Sequence, residues 1–150
     1  MDESHVVRGG IALSCAGAAR AIDAAKSAAQ TMGIPMCIAI VDAGGNLMAF
    51  ARTDDARIAN IQMSITKAVS AVTRRRATSE ELAIRPDDPA QAIRTTLAAG
   101  IDRVTAMSGG IPMFVEGQLI GGIGVSGGRG HEDIAVAQSA IDALGATMLP

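Results

Sequence analysis

The sequence predicts an α+β domain in which one mostly antiparallel sheet of about five strands packs with flanking helices. Three observations carry that reading. Two apolar runs are each folded back by a turn-forming segment, which implies hairpins and therefore antiparallel pairing. Three longer segments repeat apolar residues at helical spacing. No linker or low-complexity stretch divides the chain, and 150 residues, 49% of them hydrophobic, are enough for one sizeable core but not for two ordinary domains. Residues 1–150 are thus expected to form a single domain.

The elements follow in order. Ser14 can cap an Ala-rich helix that runs through Ile22, Ala25 and Ala29 to Met32, with Gly33 as its stop and Pro35 beyond. Met36 to Val41, the turn Asp42 to Asn46, and Leu47 to Arg52 read as a strand, a Gly-rich turn and a strand. Apolar residues at Ile58, Ile61, Ile65, Ala68, Val69 and Val72 then share one helical face, so a second helix is expected from about Arg57 to Arg74-Arg75-Arg76. Thr78 and Glu81 have the form of a capping box, and Asp88-Pro89 that of a helix start, so two shorter helices should follow, the second ending near Gly100. Val104 to Met107 is a candidate short strand. Ile111 to Val115, the two-residue turn Glu116-Gly117, and Gln118 to Val125 form a second hairpin, and Glu132 to Leu144 a last helix.

Composition excludes several function classes. The net charge is -2 and the aromatic residues are Phe50 and Phe114 alone, so phosphate neutralisation and base stacking both lack their usual residues and nucleic acid is not an expected partner. No apolar run approaches the roughly 20 residues of a membrane span, and the acidic start lacks the basic residues of an export signal. A cytoplasmic protein without membrane partners is expected. Cys15 and Cys37 have no metal or redox spacing and read as reduced, buried small hydrophobes.

The chemistry concentrates in Gly121 to Asp133, GGIGVSGGRGHED. Gly122 to Gly127 matches the dinucleotide pattern G-x-G-x-x-G, yet the chain after it has room for one helix and no second parallel strand with a ribose-binding acid. Gly124 to Gly128 matches the G-x-S-x-G elbow of serine hydrolases, but the chain's histidines are His5 and His131, and His131 lies five residues from Ser126 at the start of the same helix. A third reading uses the backbone: Gly127, Gly128 and Gly130 let the chain approach a ligand while the first amides of the last helix face outward as an anion site. Against it stands a simpler account, in which the glycines turn a strand into a helix and Glu132 and Asp133 interact with the helix dipole. Ser108-Gly109-Gly110 enters the neighbouring strand and could lie at the same end of the sheet.

Other candidates are charged. Lys67 falls near the apolar stripe of the second helix, so it must reach water or be held by an acid, with Asp42 and Asp54 as candidates. Arg52 and Asp54 read first as an ion pair and second as groups for a bidentate carboxylate. His131, whose ordinary pKa is about 6.5, could move protons beside the glycine turn.

Together these segments resemble the GlcG/HbpS-like family, the haem-degrading or DUF336 domain. The matching pieces are Ile38 to Leu47, Arg52 to Ala56, Thr66-Lys67-Ala68, Gly109 to Pro112, and Gly121 to Gly128 with Asp133. The chain departs from the family at Asp55, where glycine is usual, and at His131-Glu132. The resemblance implies a profilin-like three-layer α/β/α arrangement around a five-stranded sheet, commonly as a homo-oligomer. It also implies haem or a corrinoid-pathway ligand, as for the C-terminal domain of PduO, or a cofactor-free lyase activity on hydroxylaminobenzoate. Haem would have His5, His131 and several methionines as candidate axial ligands, although no motif positions a pair.

Two functions follow as expectations. The first is a small-molecule-binding protein holding a carboxylate-bearing ligand, haem or a small organic acid, with Arg52, Asp54, Lys67, Ser108, Gly109, Gly110, Ser126, Gly127 and Gly128 around it. The second is a cofactor-independent lyase or isomerase on a small aromatic or hydroxy acid, in which His131 or Asp133 handles protons, Lys67 or Arg52 holds the substrate carboxylate, and the loop amides stabilise developing negative charge. No metal site is expected in either.

Overall fold

Two caps and a set of small residues define the first helix. In the computed structural model, which describes residues 9–78 and 90–150, α1 spans Cys15–Met32, with the Ser14 hydroxyl accepting from the Gly17 amide and Gly33 closing it in the left-handed region. Strands β1 (Cys37–Asp42) and β2 (Leu47–Arg52) form the first hairpin, and α2 follows at Ala59–Arg74. Then come α3 (Gln91–Ala99), the hairpin of β3 (Gly110–Val115) and β4 (Gln118–Ser126), and α4 (Gly130–Leu144). Glu116 and Gly117 both take positive φ, as the tight turn between β3 and β4 requires.

The sheet is antiparallel with strand order β2-β1-β4-β3. Its two faces are both covered because β1 and β4, at the centre, are apolar on both. Ile38, Ile40, Ile123 and Val125 pack against Ala18, Ala21, Ala25 and Ala29 of α1 and Val136, Ala137 and Ala140 of α4. Ala39 and Val41 pack on the other face against Ala68, Val69 and Val72 of α2. Each fully buried Ile or Val of this core contributes about 1.5–3 kcal/mol. The result is the expected three-layer α/β/α arrangement.

Four strands form among the described residues, not five. Residues 104–107 are not a strand, because Thr105 directs its backbone to a helix: its amide donates to the Ser70 hydroxyl and its carbonyl accepts from it. Pro112, which has no amide to donate, is tolerated because β3 is an edge strand. The helix expected from the Thr78 capping box, and the Asp88-Pro89 start, lie outside the described residues. Thr78 itself bonds elsewhere, its hydroxyl accepting from the Gly110 amide at 2.9 Å. Cys37 is buried and free, with burial pushing its thiol pKa up against the opposing charge of Arg52. Cys15, expected inside, is exposed at the first turn of α1. The small-residue faces of α1 and α4 pack into the same core.

Candidate functional site

The pattern of α2 places Asn60, Met63 and Lys67 on one helical face at spacings of three and four. That face meets the end of β4. A glycine allows the approach: a Cβ at Gly124 would collide with the Ser64 carbonyl and press on the Ala68 amide. The Lys67 stem is therefore carried across the sheet toward the turn after Ser126. The side chain is 3% exposed, and its ammonium donates to Asp133 Oδ2 and to the Val125 carbonyl, each at 2.8 Å. Asp133 stands in the first turn of α4, and its other oxygen accepts from the Gly128 amide at 2.9 Å.

This buried pair forms the wall of a cleft of about 220 Å³ also lined by Arg57, Asn60, Met63, Met107, Ser108 and Ser126, with Gly127, Gly128 and Gly130 at the turn. Gly109 supports it from behind. With φ at +117°, its missing side chain leaves room for Asp133 Cβ and Lys67 Nζ, which a Cβ there would meet at 2.9 and 3.1 Å. Burial raises the Asp133 carboxyl above the ordinary carboxylate range, opposed by the Lys67 ammonium and the Gly128 amide. An ammonium has three N–H donors. Two of those on Lys67 are engaged within the protein, which leaves one for a guest in the cleft. Arg57 at the mouth has no ion pair within 4 Å among the described residues, so Arg57, Lys67 and Asp133 give the lining a net charge of +1.

The geometry brings together Lys67, Ser108, Ser126, Gly127, Gly128 and Asp133, and it corrects several expectations. The acid that holds Lys67 is Asp133, not Asp42 or Asp54. Asp42 is occupied in its own turn, accepting from the Gly44 and Asn46 amides. Asp54 borders a separate groove of about 230 Å³ with Gln30, Ile34 and Thr53. Arg52 makes no salt bridge with Asp54; its Nε donates to the Ala56 carbonyl at 2.9 Å. Neither lines the Lys67 cleft. His131 is exposed on α4 and does not line it either, because the residue that turns inward is Asp133. Gly110 uses its amide on Thr78.

The amides expected to be bare are in part covered by α4's own acids: Gly128 by Asp133, and Arg129 by Glu132. The turn is therefore less open to a guest than the bare-amide reading expects. Arg57, Asn60, Met63 and Met107 were not singled out in the sequence, although Asn60 and Met63 lie seven and four residues before Lys67 and could have been found by following its helical face.

Known proteins of the same shape add the family. The model of the haem degrading protein HbpS-like family matches residues 13–142. An uncharacterised 15.0 kDa protein from the dhaT-dhaS intergenic region of Citrobacter freundii is 30% identical over 131 residues, 87% of this chain and 90% of that one. Protein GlcG of Escherichia coli K12 is 35% identical over 107 residues, covering 70% and 74% of the two chains. A solved complex of PduOC with haem superposes with a TM-score of 0.84 at 30% identity, over 93% of this chain and all of that one. By sequence and by fold the chain belongs to the HbpS-like family.

Proposed function

We propose that the protein binds a small carboxylate-bearing molecule in the cleft walled by Lys67 and Asp133. The observation that carries this reading is the Lys67 ammonium, fixed in place by Asp133 and Val125 yet bordering the cleft with one donor uncommitted. A carboxylate accepts that donor, and Arg57 at the mouth adds a second cation suited to it. Asn60, Ser108 and Ser126 supply further polar contacts, and Met63 and Met107 an adaptable apolar wall.

The haem complex of the related PduOC supports a tetrapyrrole as one such ligand. The residues here fit only part of it. At about 220 Å³ the cleft lies below the roughly 300–1,000 Å³ of pockets that enclose drug-sized ligands, and among the described residues its lining contains methionines but no histidine. A haem would place a propionate in the cleft and leave its macrocycle outside. The reading also takes the protein to be a cytoplasmic homo-oligomer, tested by light scattering of the purified protein. The expected lyase chemistry gains no support: His131 does not line the cleft, and both oxygens of Asp133 are engaged.

The test is titration calorimetry with short organic acids, alongside haem titration followed at the Soret band. Binding of short acids that disappears in Lys67→Met, with Asp133→Leu added so that no acid is left buried and unpaired, is the expected result. Binding unchanged in that double variant overturns the site.

A further inference from the structure

Ser126 closes β4 with 2% of its surface exposed and borders the cleft. Side chains alternate along a strand, so Ser126 shares the face of Gly124, the face against which α2 lies. Its hydroxyl has no hydrogen-bond partner among the described residues, and no fully enclosed side-chain oxygen or nitrogen there lacks one. The hydroxyl therefore opens on the cleft. The carbonyl that accepts from Lys67 belongs to Val125, the residue immediately before it, so the free hydroxyl and the free N–H flank a single peptide unit.

We infer that Lys67 and Ser126 together select a short carboxylate carrying a hydroxyl on the carbon next to the carboxyl group, an inference that rests on the carboxylate reading of the cleft. The Lys67 ammonium only donates, which suits a carboxylate oxygen. The Ser126 hydroxyl both donates and accepts, and a carboxylate oxygen, which only accepts, satisfies half of it. A ligand hydroxyl satisfies both halves. Because the two protein groups flank one peptide, the two ligand groups they meet must be near neighbours as well. Within the volume of about 220 Å³ there is room for a few further carbons, against Met63 and Met107.

Lactate and propionate share a carbon skeleton and differ by this hydroxyl, so the pair isolates the claim. Calorimetric titration of the wild type should show lactate binding about tenfold more tightly than propionate, the ordinary worth of one well-made hydrogen bond. Ser126→Ala should abolish the difference, so that lactate and propionate bind alike. Ser126→Thr, which keeps the hydroxyl, should retain the preference and controls for disturbance of the strand. Equal affinity for the two acids in the wild type, or a preference that survives in Ser126→Ala, overturns the selection while leaving the carboxylate site standing. Failure of both acids to bind the wild type overturns the carboxylate site and this inference with it.

Discussion

Two aspartates sit beside glycine turns in this protein and do opposite things. Asp42, in the turn between β1 and β2, accepts from the Gly44 and Asn46 amides and from the Asn46 side chain, and these bonds hold its carboxyl below the ordinary range. Asp133, at the turn between β4 and α4, also accepts an amide, from Gly128, but burial raises it and an ammonium 2.8 Å away shares the site. The first arrangement is complete within five residues and faces water. The second spans 66 residues of sequence, borders a cleft, and leaves a donor over. A local carboxylate–amide motif serves turn formation; it becomes a candidate site where a distant cation is brought to it out of solvent.

Substitutions should separate the two. Lys67→Met leaves Asp133 buried without its cation and should cost about 3–5 kcal/mol in denaturant unfolding, with Asp133→Leu restoring much of the loss but none of the binding. Gly109→Ala comes next. It strains the backbone at φ +117° and drives a methyl at Asp133 and the Val125 carbonyl, and should cost about 1–3 kcal/mol while weakening acid binding. Asp42→Ala should be the mildest, about 1 kcal/mol from an exposed turn, with binding unchanged. A loss of binding in Asp42→Ala equal to that in Gly109→Ala would erase the distinction.

The pH response should sharpen it. Asp133 titrates higher in the folded chain than in the unfolded one, so its contribution is present at low pH and is lost as pH rises through the folded value. Asp42 titrates lower, so its contribution is present above the unfolded value and is lost as pH falls through the folded one. Stability measured against pH should therefore lose its downward slope above the ordinary carboxylate range in Asp133→Asn, and lose part of its acid limb in Asp42→Asn. Identical profiles for both variants would contradict the assignment.

Most of the fold was legible because its signals are local. Ser14 and Gly33 delimit α1, Glu116-Gly117 specifies a tight hairpin, and the apolar stripe of α2 identifies its buried face. The site was legible in its members but not in its pairing. Lys67 on an apolar face demands an acid, yet nothing local distinguishes Asp133 from Asp42 or Asp54, since the choice depends on how closely α2 approaches β4 at Gly124. The expected fifth strand failed for a similar reason: Thr105 pairs with a serine on a helix 35 residues away, a contact that no periodicity announces.

The most direct test of the cleft is a chemical-shift titration of the isotope-labelled protein with lactate. The amides of Ser108, Gly127, Gly128 and Gly130 should move together and saturate, while Gly44 and Gly45 at the other aspartate stay fixed. Shifts of equal size at both turns, or none at either, would contradict the account.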